Sequence, residues 1–156
     1  MLYHATDKET GYKIWEDGLK SNININTHRK KRRNMREHID RLANKKYSNY
    51  VPRKNAIFAW PTFESARRYG TNHFMESAIV EFSIDDIAWC VESFIAEDLY
   101  ESYSNNTDDE TIHNVIEHYR QWNHERNDEL EVWLHESSID SVHQVLDDYG
   151  HQFEIR

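Results

Sequence analysis

Apolar residues in this chain come in short runs whose period keeps changing, and that limits it to short strands and short helices in irregular order. Ala56-Ile57-Phe58-Ala59-Trp60 reads as a buried strand ended by Pro61 and Thr62. Ser77–Ser83 and Glu129–Leu134 alternate as strands, Ile87–Val91 suggests another, and Phe153–Arg156 a last one. Helical spacing takes over at Met35, Ile39 and Leu42, predicting a basic amphipathic helix to about Lys46. It returns at Ile112, Val115, Ile116, Tyr119 and Trp122, behind the capping box Thr107-Asp108-Asp109-Glu110. Thr62 is placed to cap a helix over Phe63–Tyr69 stopped by Gly70, and Ser138 to cap one carrying Val142 and Val145. Residues 20–28 suit a strand or a loop, Tyr47–Asn55 with Pro52 a loop, and acidic Phe94–Tyr103 shows no clear period. The pattern predicts an α+β fold, one domain over residues 1–156.

The first nineteen residues are the most organised. Leu2-Tyr3-His4 reads as a strand ending at the histidine. Thr6 and Glu9 have capping-box spacing for a helix, and Gly18 sits where a helix C-terminal glycine belongs. A histidine at a strand end is held rigidly on one side and open on the other, which suits ligand binding. A half-buried polar residue looks the same in sequence.

Several classes are excluded. With four glycines the chain has no glycine-rich phosphate loop, against dinucleotide-binding βαβ and P-loop proteins. Cys90 is the only cysteine, so an internal disulfide and a cysteine zinc site are ruled out, which fits a reducing compartment. His113 and His118 are five apart and no His-Glu-x-x-His occurs, against zinc. No apolar run approaches membrane-spanning length and the start lacks a signal peptide's basic and apolar regions, so a cytoplasmic protein is expected.

Charge is segregated. Residues 29–54 hold eleven of the nineteen Lys and Arg against only Glu37 and Asp40, a local charge of +9 within a chain of −9, leaving −18 elsewhere. Arg29-Lys30-Lys31-Arg32-Arg33 with Arg36, and Tyr47 and Tyr50 nearby, could bind nucleic acid through phosphate contacts and stacking. The segment could equally be a solvated helix neutralised by the acidic body, or contact a pyrophosphate.

Three blocks in order, Tyr3-His4-Ala5-Thr6 with Gly18-Leu19, Ile57-Phe58-Ala59-Trp60 with Ser65-Ala66-Arg67-Arg68-Tyr69, and Glu131-Val132-Trp133-Leu134 with Ile139 and Val142, resemble the ADP-ribosyltransferases. The likeness is to the diphtheria-toxin-like His-Tyr-Glu branch, which includes poly(ADP-ribose) polymerases and bacterial DNA-modifying toxins. It implies a split β core gripping NAD, and transfer of ADP-ribose to a macromolecular acceptor, nucleic acid or protein. The chain's compactness and lack of a targeting signal fit an intracellular toxin, phage effector or defence-related enzyme. By that resemblance His4 bonds a ribose hydroxyl, the Ala5 backbone holds the carboxamide, and Tyr69 stacks on the nicotinamide. Thr6 and Trp60 complete the NAD site. Glu131 holds the 2′-hydroxyl and steadies an oxocarbenium-like sugar, with Glu129 positioning the acceptor. His4, Tyr69 and Glu131 are then expected to converge on one cleft. Many relatives carry glycine at Ala5 and a small polar residue at Trp60. Without the resemblance, Tyr69 reads equally as core and Glu131 as a solvent-facing edge residue. A tRNA 2′-phosphotransferase-like enzyme, with His4 unusually near the start for one, and an inactive binding module are the rival expectations.

Overall fold

A computed structural model describes residues 1–20, 30–104 and 109–153, with backbone alone at 30–33, 100 and 102–104. Seven strands form two antiparallel sheets. They are β1 (Leu2–Asp7), β2 (Ile57–Ala59), β3 (Ser77–Ile84), β4 (Trp89–Glu92), β5 (Arg120–Gln121), β6 (Leu130–Leu134) and β7 (Ile139–Leu146). One sheet runs β1-β3-β7 and the other β2-β6-β4-β5. They meet edge to edge at a bridge in which Tyr3 N–H donates to Trp60 O (2.9 Å) and Trp60 N–H to Tyr3 O (2.8 Å).

Among the described residues six helices surround them: α1 (Lys8–Tyr12), α2 (Ile14–Asp17), α3 (Lys30–Lys46), α4 (Phe63–His73), α5 (Ser93–Ser104) and α6 (Asp109–Ile116). Strand alternation divides the core. Leu2, Val80 and Phe82 of one sheet share a cluster with Ile57, Ala59, Leu130, Val132 and Leu134 of the other. The opposite parity of the second sheet, Trp89, Val91 and Trp133, packs on Met35, Ile39 and Leu42 of α3 and on Leu99 and Ile112 of α5 and α6. The opposite parity of the first, Tyr3, Ala5 and Ile79, packs on Ala66 of α4. Among the described residues no helix is long and apolar enough to cross a membrane.

The α+β class is as expected, and the differences are local. Strand β1 continues past His4 to Asp7, because antiparallel pairing with β3 runs from Leu2↔Phe82 to Asp7↔Ser77. The cap of α1 is consequently Asp7, whose carboxylate accepts from Thr10 N–H (2.8 Å), rather than Thr6. Gly18 ends α2 as expected, at φ 73°. Thr62 caps α4, but the helix runs through Gly70 to His73. Gly70 answers to packing instead: a Cβ there would lie 2.9 Å from Ser77 Oγ and 3.4 Å from the Ala5 methyl.

Phe94–Tyr103 falls within helix α5, and α6 stops at Ile116, so Tyr119 and Trp122 enter the core from beyond it. The helix expected after Ser138 is the strand β7. Ile139, Val142 and Val145 are spaced by three, yet they face Ile84, Phe82 and Val80, which are spaced by two. Two bulges absorb the extra residues, turning helical spacing into one strand face. The capping residues Thr107 and Asp108, residues 21–28, and Glu154–Arg156 lie outside the described residues.

Candidate functional site

The seam between the sheets gathers most of the expected site residues. Tyr3 and Trp60 form it, and His4 is the next residue along β1. The β2–β6 register ends at Ala59↔Val132; beyond it Trp60 bridges to Tyr3, while Glu131 pairs with Val91 of β4. Tyr69, seven residues into α4, brings its ring back to Trp60, with centroids 4.4 Å apart.

His4 is buried on the side of β1 that also carries Leu2 and Thr6. Its Nδ1 lies 2.6 Å from the Phe58 carbonyl oxygen. A carbonyl only accepts, so Nδ1 carries the hydrogen. Burial lowers the pKa of the ring, partly offset by that hydrogen bond. A neutral imidazole protonated at Nδ1 leaves a lone pair on Nε2, able to accept from a hydroxyl.

His4 and Thr6 line a cleft of about 180 Å³ closed by α1, α2 and the turn after them, with Ile14 and Leu19 as apolar wall. Charged residues also line it: Glu9, Lys13 and Asp17, spaced by four, and Lys20. Thr10, also in the lining, is committed to the Asp7 cap through both its N–H and its hydroxyl. The spacing of Glu9, Lys13 and Asp17 was a usable sequence signal that motif reading passes over.

Ala5 points away from this cleft, into the cluster with Ile79 and Ala66, so only its backbone can serve a ligand on the His4 side. Trp60 is buried, and Tyr69 is 37% exposed. The Tyr69 ring lies 4.4 Å from Trp60 at 33° and 3.9 Å from His73 at 17°. Two nearly parallel rings that close must occupy opposite faces of Tyr69. A third ring stacking there therefore has to displace His73, which is exposed and linked to Tyr69 through its Nδ1 and the Tyr69 carbonyl (2.8 Å).

Glu131 shares the strand parity of Trp133, and its side chain is 18% exposed. Oε1 accepts from Arg53 Nη2 at 2.5 Å. Arg53, 1% exposed, also donates through Nη1 to the Tyr119 hydroxyl (3.1 Å). Its guanidinium lies 4.7 Å from the Trp133 ring centre and 5.2 Å from that of Phe58. The backbone beneath it is fixed by Asp40, which accepts from Arg53 N–H (2.7 Å), Lys54 N–H (2.9 Å) and the Tyr50 hydroxyl (2.8 Å). Nothing in the sequence distinguishes Arg53 from the other bases of its segment. Asp40, one of only two acids there, was a faint signal.

Thus Trp60 and Tyr69 touch, His4 reaches the backbone of Phe58, and Glu131 is joined to the Phe58 ring through Arg53. His4, Tyr69 and Glu131 therefore do not converge on one cleft as expected: strand alternation turns the His4 ring to the inter-sheet side, while Trp60 and Glu131 face the other side, and neither Tyr69 nor Glu131 lines the cleft beside His4. Glu129 is exposed before β6, and its carbonyl accepts from Ser93 N–H (2.6 Å).

Among the described bases of the segment, Lys46 and Arg53 pair with acids of the body, and Lys54 pairs with Glu37 of the segment itself. Lys46 pairs with Glu117 (3.6 Å), Lys54 with Glu37 (3.0 Å), and His38 Nε2 lies 3.0 Å from Asp109. The Arg36 guanidinium also lies over Phe58, 5.4 Å from the ring centre, with a buried Nε that makes no hydrogen bond among the described residues. Arg29 lies outside the described residues. Lys30, Lys31, Arg32 and Arg33 form the first turn of α3, and their side chains are outside the description.

Comparison with protein-family models finds no match, and comparisons with curated proteins and with solved structures find none either.

Proposed function

We propose that the protein is an NAD-dependent ADP-ribosyltransferase, cutting the nicotinamide–ribose bond and passing ADP-ribose to a macromolecular acceptor. The observation that carries this reading is that His4, Trp60 with Tyr69, and Glu131, drawn from three distant stretches, border the seam between the two sheets, His4 on its inter-sheet side and the other three on the opposite side. A core of two sheets meeting at one bridge accords with the split β core that the resemblance implies. In this reading the cleft beside His4 and Leu19 takes one part of the dinucleotide.

In this reading His4 accepts a ribose hydroxyl hydrogen on Nε2, its tautomer set by the Phe58 carbonyl. Tyr69 orients the nicotinamide once His73 has swung aside. As the glycosidic bond breaks, the sugar becomes cationic, and the carboxylate of Glu131 stabilises that charge more than it stabilises the ground state. A preorganised group of this kind contributes on the order of 10²–10³ in rate. Exposed Glu129 stands at the edge of the site, where an acceptor would arrive.

The test is incubation with NAD labelled in the adenylate phosphate, with nicotinamide release followed and DNA, RNA and protein acceptors examined by mass spectrometry. Label on one acceptor class supports the transferase and names the acceptor. NAD bound without release points to an inactive module. Loss of a 2′-phosphate from RNA, without acceptor labelling, points to the phosphotransferase.

A further inference from the structure

We infer that Arg53 is a positioning residue that holds the Glu131 carboxylate in its working orientation, an inference that rests on the proposed NAD chemistry. Three features separate this pair from an ordinary surface bridge. First, the arginine is immobile: it is buried, its N–H is tied to Asp40, its Nη1 to Tyr119, and its plane is set among Trp133, Phe58 and Tyr119. Second, the contact is one-sided. Nη2 takes Oε1 of Glu131, and among the described residues Oε2 has no hydrogen-bond partner. One carboxylate oxygen is anchored and the other is left for a hydroxyl of the substrate. Third, Glu131 is held on one side by the β4–β6 ladder, opposite Val91, but lies just past the end of the β2–β6 ladder, so on that side Arg53 rather than a strand neighbour meets its carboxylate.

A carboxylate that must meet a developing positive charge needs to be fixed in place, and a buried guanidinium hydrogen-bonded to one of its oxygens fixes it. The same geometry gives Asp40 a role one step further back. By accepting from Arg53 N–H, Lys54 N–H and the Tyr50 hydroxyl, it ties the loop carrying Arg53 to helix α3. The acid within the basic segment thus fixes the base that fixes the second acid.

The test compares nicotinamide release from NAD, and NAD binding followed by tryptophan fluorescence, in wild type, Arg53→Met and Arg53→Lys. Rates are expressed per folded molecule. Freed from its anchor, Glu131 moves by about an ångström, and a misplacement of that size costs on the order of 10²-fold in kcat. The expected result is that loss in Arg53→Met, a smaller loss in Arg53→Lys, and a KM for NAD within about twofold of wild type in both, since the anchor acts on the transition state. Should Arg53→Met fail to fold, Arg53→Lys, which retains the charge without the planar fork, decides by itself. Wild-type kcat in folded Arg53→Lys or Arg53→Met, beside an active wild type, overturns the positioning role alone. A wild type that neither binds NAD nor releases nicotinamide overturns both this inference and the function on which it rests.

Discussion

Replacing Glu131 with Gln should destabilise the protein whatever it does to catalysis. The substitution keeps the side chain's shape and leaves an oxygen that can still accept from Arg53, but it removes the carboxylate that accepts from that guanidinium. Arg53 is 1% exposed, so water cannot replace the missing charge. Breaking a buried pair by removing one partner costs roughly 3–5 kcal/mol. Two features place Gln toward the lower end: the retained hydrogen bond, and the rings of Trp133 and Phe58, which attract the cation. A loss of about 3 kcal/mol is expected for Glu131→Gln and nearer 5 kcal/mol for Glu131→Ala. In a chain of this length each kcal/mol lowers Tm by roughly 2–4 °C, so Glu131→Gln should melt about 6–12 °C below wild type. Urea denaturation at pH 7 gives the free energy directly. Arg53→Met combined with Glu131→Gln should recover much of the loss, since the buried guanidinium goes with its carboxylate, and the double-mutant cycle isolates the pair. A Glu131→Gln protein as stable as wild type would refute the reasoning, as would strict additivity in the cycle. Any catalytic comparison with this variant has to be made well below its melting temperature.

Other expectations follow from particular sites. Because burial depresses the His4 pKa, the native state binds that proton less readily than the unfolded chain. Its contribution to stability is complete above about pH 6.5, the unfolded value, and is lost as pH falls towards the folded one. Urea titrations of wild type and His4→Gln should therefore converge below about pH 6.5, and parallel curves would contradict the buried neutral ring. Burial pushes the Cys90 thiol up to about 12, so the native protein should react with a disulfide reagent at neutral pH only as fast as it opens. Fast labelling without unfolding would place Cys90 elsewhere. A Cβ on Gly11 would lie 2.5 Å from the Ala78 methyl, and Gly11→Ala should cost about 1–3 kcal/mol by overpacking, read from the same urea curves. If the start of α3 holds nucleic acid, Arg32→Ala with Arg33→Ala should flatten the salt dependence of binding by roughly 0.7–0.9 for each phosphate no longer neutralised; an unchanged slope leaves those bases as solvated surface.

What could be read in advance divides along a physical line. Met35, Ile39 and Leu42 announced α3 because one helix face meets one core, and all three are buried. Thr62 and Gly18 announced helix ends because capping is local chemistry. Ile139, Val142 and Val145 misled because the bulges that put them on one face belong jointly to β7 and its partner strand. A spacing rule applied to one strand cannot register residues that are extra only relative to another. Gly70 misled for the same reason: its partner, Ser77, lies outside the helix it was expected to end. Residue types and motif order singled out His4, Tyr69 and Glu131, but their environments depend on contacts made over 54 residues for His4 with Phe58 and 78 for Glu131 with Arg53. The second of these matters most for chemistry. In sequence Arg53 is one base among eleven and invites a reading as part of a phosphate-binding patch. In the fold it is the one that Asp40 pins by its backbone and that three aromatic rings enclose, so its charge faces a carboxylate rather than a partner. The charge segregation that most suggests an external anion is thus partly spent within the molecule, on the residue whose own charge the proposed reaction requires.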